Sequence, residues 1–162
     1  MNVNDLVLFI LGPIILKYQS ATGRKIRLHR EMELVAPDTR TGGYEEFVIV
    51  DNISIKEHRF VLVIECKESA LGHGIRQCLL ALYDMFCLNR REGKLYGFVT
   101  TGEQWRMVTY DGTTLQMTDP FFALFGKLRQ EKQRWMEEFS VVVDCLLIAL
   151  HNAGTQKGNE DV

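Results

Sequence analysis

At 162 residues the chain is long enough for one domain with its own core, and 46% apolar with 25% charged residues is the composition of an ordinary soluble globular protein. A formal net charge of −2 excludes a globally basic nucleic-acid binder, so any such binding must use local clusters. Two clusters exist, Arg24, Lys25, Arg27, His29 and Arg30, and later Arg90, Arg91 and Lys94. Each alone also reads as a solvated strand or helix end.

The first predicted element is a helix capped by Asn4 or Asp5, running to about Gln19 and bent by Pro13. Its apolar stretch from Leu6 to Leu16 is too short to span a bilayer, and it lacks a basic leader and a cleavage site. The expectation is an intracellular protein, cytoplasmic or nuclear, with no membrane partner. The four cysteines, Cys66, Cys78, Cys87 and Cys145, sit in apolar runs without metal-type spacing and read as buried thiols in a reducing compartment. The sequon Asn52-Ile53-Ser54 carries little weight without a secretion signal.

From Arg24 to Val35 the apolar residues Ile26, Leu28, Met32 and Leu34 recur with period two, which predicts a strand. A turn cluster from Pro37 to Gly43 leads to a second strand at Phe47–Val50 and a third at Arg59–Lys67. A long helix is expected from about Leu71 to Arg90, then strands at Leu95–Thr100 and Trp105–Tyr110. Pro120 introduces a final helical stretch to about Asn152, strongly apolar from Val141 to Leu150 and packed across the sheet or against a second copy. The tail, residues 154–162, is expected to be disordered. The order αβββαββα predicts a single α/β (α+β) domain over residues 1–153, with a mixed sheet of about 4–5 strands flanked by helices.

The third strand carries the most information. Five of the six residues from Phe60 are apolar, as in a strand buried on both faces, yet it ends in Glu65-Cys66-Lys67. Glu65 and Lys67, two apart, project from one face, and a buried charge requires a partner or a metal. A regular hairpin centred near Ile55-Lys56 sets Glu46 opposite Glu65 and Asp51 opposite Phe60, about 17 Å up the strand. Glu46 is then the acid that shares a site with Glu65 and Lys67, and a single bulge would transfer that role to Glu45. Paired carboxylates suit Mg²⁺, which prefers oxygen ligands and bridges to phosphate. The residue types equally allow a salt-bridged strand end.

The order of these segments carries a resemblance. Gly43-Tyr-Glu-Glu-Phe-Val-Ile-Val-Asp51 followed by Val61-Leu-Val-Ile-Glu-Cys-Lys67 resembles the core of the PD-(D/E)XK nuclease superfamily. Arg76-Gln77, leading into Leu79-Leu80-Ala81-Leu82-Tyr83, is similar to its glutamine-bearing helix. The segments Tyr96–Gly102 and Trp105–Gly112 look like the hairpin of fungal Crinkler-like members. The resemblance covers about Ile26 to Gly112. It implies a restriction-endonuclease-like core and a Mg²⁺- or Mn²⁺-dependent endonuclease acting on DNA more than RNA. It also implies Glu46 and Glu65 as metal ligands with the Cys66 carbonyl, Lys67 as the catalytic lysine and Gln77 as its helix partner. The alternative is a catalytically silent module of the same fold that binds nucleic acid or a protein. Pro37-Asp38 matches the superfamily's name literally but lies in the turn cluster, so Asp38 ranks below Glu46. Glu31 and Glu33 are an auxiliary acid pair or a solvated stripe.

Overall fold

The computed structural model describes residues 2–37, 42–69, 71–124 and 129–153. In chain order its elements are α1 (Val3–Thr22), β1 (Ile26–Val35), β2 (Gly42–Asn52), β3 (His58–Cys66), α2 (Leu71–Leu88), β4 (Leu95–Thr100), β5 (Gln104–Tyr110), β6 (Leu115–Met117), β7 (Phe121–Phe122), α3 (Lys132–Glu138) and α4 (Val141–Asn152). The fold is α+β. One sheet runs β1-β2-β3-β4-β5-β6, with β7 also on β5, and is wider than the four or five strands expected. Its β3–β4 pair is parallel and the other described pairs are antiparallel, so α2 is the crossover that a parallel pair requires.

Two expectations need correction at the ends of the chain. The helix predicted from Pro120 to Asn152 does not start there. Proline biases the preceding Asp119 toward extended backbone, and Phe121 and Phe122 pair with Trp105 and Gln104. The helical part is split: the Ser140 hydroxyl donates to the Met136 carbonyl at 2.7 Å, competing with the backbone ladder where α3 ends. At the other end α1 starts earlier than expected, because Asn2 is the cap and its side chain accepts from Asp5 N–H at 2.8 Å. Gly23, at φ 69°, stops it in the left-handed conformation. Its 20 residues, a longer segment than the apolar stretch from Leu6 to Leu16, are long and apolar enough to cross a membrane by length and composition. Val7, Leu11, Ile15 and Tyr18 nevertheless form a buried stripe against the sheet.

The layers are α1 and α4 on one face of the sheet and α2 on the other. Phe47, Ile49, Ile64 and Phe98 face α1 and α4, while Val48, Val50, Val63 and Val99 face α2. Strand β3 carries a bulge: Val50 pairs with Phe60 but Ile49 pairs with Leu62, leaving Val61 between them. Val61 and Leu62 therefore both turn to the α1–α4 face. The expected pairing of Asp51 with Phe60 fails for that reason, and Asp51 lies opposite Arg59.

Helix α2 lies unusually close to the sheet. A Cβ added at Gly97 would overlap Cys78 Sγ, and one at Gly74 would overlap Val99 and touch Lys67 Cγ at 3.0 Å. Asn89, just after the helix, accepts from Phe60 N–H at 2.9 Å and donates to the Phe60 carbonyl at 2.8 Å, tying its end to the start of β3. Gly97→Ala is expected to force α2 outward and cost about 1–3 kcal/mol, read as a lower midpoint in urea at unchanged slope.

Candidate active site at the end of β3

Strand β1 contains the feature that shapes the site. Glu31 has φ 54°, and the β1–β2 pairing skips Glu31 and Glu46 while keeping its register on either side. Before the kink, Ile26 and Leu28 face α1 and α4; after it, Met32 and Leu34 face α2. The even-numbered residues thus change faces at Glu31. Strand β2 must follow, because residues directly opposite share a face. Phe47, opposite Arg30, faces α1 and α4, whereas Glu45, opposite Met32, comes round to the α2 face.

That switch brings Glu45 to the buried side of Glu65 and leaves Glu46 at the rim. Glu65 lies two residues beyond Val63 on the α2 face and is 1% exposed. Glu45, 6% exposed, lies within hydrogen-bonding reach of it. Glu46 remains at the rim: its Oε2 accepts from Cys66 N–H at 2.8 Å and its Oε1 lies 3.8 Å from Lys67 Nζ. Lys67 Nζ is also 3.4 Å from Glu65 Oε2, and Lys67 N–H donates to the Thr100 carbonyl at 2.8 Å, which anchors the residue to β4. Glu46 thus lies beside Lys67, as the hairpin register predicted, and Glu45 is added to the site by the kink in β1, not by a bulge in the β2–β3 hairpin.

Neither oxygen of Glu65 accepts a hydrogen bond, and Glu45 Oε2 lacks a partner as well. With both groups ionised neither carboxylate has a proton to donate. A proton on Glu65 supplies the missing donor. Burial is the main reason that the Glu65 carboxyl is pushed up to about 9; adjacent Glu45 adds to this, and Lys67 only partly opposes it. Burial, Glu46 and Glu65 likewise push the Cys66 thiol up, so it is an inert thiol.

The donor set is hard oxygen, orphaned and buried at Glu65 and Glu45 and partly exposed at Glu46, which fits a cation such as Mg²⁺ held by one or two carboxylates and its own waters. It is not a closed cage: among the described residues no three acidic, histidine or cysteine side chains converge on one point. The remaining predicted residues fall outside this cluster. Gln77 is exposed on α2, one turn after Gly74, which faces Lys67. Glu31 and Glu33 are exposed, and Asp38 lies outside the described residues. Trp105 is core, fully buried and edge-on to Phe98.

Asp51 belongs to another assembly, at the opposite end of β2. The Arg24 guanidinium, part-buried, donates to Asp51 Oδ2 at 2.7 Å, to the Tyr18 hydroxyl at 2.8 Å and to the Leu150 carbonyl at 2.6 Å. It joins α1, β2 and α4. The sequence showed Arg24 only as one member of a basic cluster, because its partners lie on three separate elements. Comparisons of the chain with protein-family models, with curated proteins and with solved structures find no match.

Proposed function

We propose that this chain is a metal-dependent nuclease-like domain that hydrolyses phosphodiester bonds, with DNA its substrate in preference to RNA. The observation that carries the reading is the Glu65 carboxylate, buried without a hydrogen-bond donor at a strand end where Glu45, Glu46 and Lys67 converge. A buried carboxylate lacking a donor is costly to maintain for structure alone. Glu65 and Glu46 would hold the ion with the Cys66 carbonyl, and Glu45 stands behind Glu65 as a third acid. A bound Mg²⁺ or Mn²⁺ supplies Lewis acidity toward water and phosphate. Lys67 places its ammonium between Glu46 at the rim and Glu65 beneath, where it offsets charge developing on the phosphate. Side-chain exposures of 21% for Lys67 and 27% for Glu46 leave this side open to a substrate, with Glu65 beneath.

A second reading is a silent module of the same fold. The observation favouring it is that a proton on Glu65 satisfies the pair without any cation. The two separate in one assay: supercoiled plasmid, single-stranded DNA and RNA incubated with the protein and Mg²⁺, Mn²⁺ or EDTA. Cation-dependent cleavage that favours DNA is expected. Binding of DNA without cleavage in either metal would leave the silent module.

A further inference from the structure

We propose that the basic cavity at the far end of the β1–β2 hairpin is a second nucleic-acid contact, which takes a backbone phosphate of the same strand or duplex that reaches the carboxylate cluster. The cavity, of about 590 Å³, is walled by Gln19, Arg24, Lys25, Arg27, Asn52 and Ser54 among others, with three cations and no carboxylate. An adjoining cavity of about 340 Å³ shares Arg24, Lys25 and Asn52 and adds Arg59 together with Asp51, the carboxylate already paired with Arg24. Such a wall is unexpected in a chain whose net charge is −2. Arg24 is already neutralised by Asp51 at 2.7 Å, whereas Lys25 and Arg27 are exposed and have no ion-pair partner among the described residues.

The register connects this cavity to the carboxylates. Arg27 lies opposite Val50 and His29 opposite Val48, and Val48 lies opposite Val63. These residues share the α2 face of the sheet with Glu65 and Lys67. Arg27 and His29 therefore form a line along the exposed edge strand that starts at the cavity and points at the cluster. From Asn52 to Glu46 is six residues of β2, roughly 20 Å of strand. That matches the rise of about six base pairs, so one short duplex spans both. Amide, hydroxyl, ammonium and guanidinium groups together suit a phosphodiester, which accepts hydrogen bonds and carries one charge.

The ligand class rests on the nuclease reading, and the test keeps the two apart by measuring binding without metal. Anisotropy of a labelled 20-base-pair duplex would be followed in EDTA across a salt series for the wild type, Lys25→Ala/Arg27→Ala and, as a control, Lys132→Ala. The double variant is expected to bind about tenfold more weakly near 0.1 M salt, with a salt slope lower by about two. Lys132→Ala, which removes an exposed cation on α3 away from both cavities, should bind like the wild type. Both substituted cations are exposed, and an unchanged melting temperature would establish that the double variant folds. Unchanged affinity and slope in the double variant would overturn the proposal. So would competition by polyglutamate equal to that by unlabelled duplex, or displacement by millimolar inorganic phosphate with no difference between variant and wild type. If no cleavage is found but duplex binding requires Lys25 and Arg27, the contact stands and the nuclease reading falls.

Discussion

Glu65→Gln is expected to abolish cation-dependent cleavage of plasmid DNA, with a loss of at least about 10²-fold in rate at saturating Mg²⁺. The substitution keeps the shape of the side chain and removes the charge that would hold the ion. Lys67→Ala is expected to cause a loss of similar order, and Lys67→Arg to recover little of it. The lysine fits as a compact ammonium, 3.4 Å from Glu65 and 3.8 Å from Glu46, and a planar guanidinium is a different donor. Glu46→Gln and Glu45→Gln discriminate between the two adjacent acids. Glu46 meets the rim, the Cys66 N–H and Lys67, so its loss should raise the cation concentration needed for half-maximal rate. Glu45 is buried behind Glu65, so its loss should weaken the rate less at saturating cation. Titrating Mg²⁺ against initial rate for the five single variants reads all of these. Cleavage undiminished in both Glu65→Gln and Lys67→Ala would remove the site from these residues.

The middle of this arrangement was legible in the sequence because it depends on local signals. An apolar run ending in Glu-x-Lys predicted β3, its burial and the common face of Glu65 and Lys67, and the hairpin register brought in Glu46. The ladder near the site does follow that register, with Phe47 opposite Ile64. What the sequence did not reveal arises from two irregularities without a residue signature. Glu31 adopts φ 54°, where glycine or asparagine would be the usual mark, so the face switch that carries Glu45 to Glu65 had no signal, and the bulge allowed for lay in the β2–β3 hairpin instead. Val61 is an ordinary strand residue, and its bulge moved the partner of Asp51 by one. The short strands β6 and β7 were missed because each is stabilised by its pairing with β5 rather than by its own periodicity. Arg24 was missed as a structural residue because a guanidinium that joins three distant elements resembles, in sequence, any other surface cation.

The cluster also dictates how stability responds to pH in the absence of metal. The Glu65 carboxyl is held up to about 9 in the fold against an ordinary 4.5. Between those values the folded chain retains a proton that the unfolded chain has released, so folding must take one up. Stability is therefore full below about pH 4.5 as far as this group is concerned, and is lost progressively as pH rises toward 9. The expected result in EDTA is a melting temperature that falls across pH 6 to 9. Glu65→Gln carries a neutral amide at every pH, so its profile should be flatter. At pH 8 it should exceed the wild type by at least about 1 kcal/mol, or about 2–4 °C for a chain of this size. Glu45→Gln removes the nearest like charge and should flatten the profile in part. Added Mg²⁺ should reverse the wild-type trend, because a cation competes with the proton for Glu65 and binds best where that proton is already leaving. Wild-type stabilisation by Mg²⁺ should thus grow from pH 6 to pH 8 and disappear in Glu65→Gln. A Mg²⁺ effect of equal size in the variant would mean that the ion binds elsewhere. A pH profile identical in the two proteins would mean that the Glu65 carboxyl titrates where an exposed one does, and the buried, proton-sharing pair would have to be abandoned.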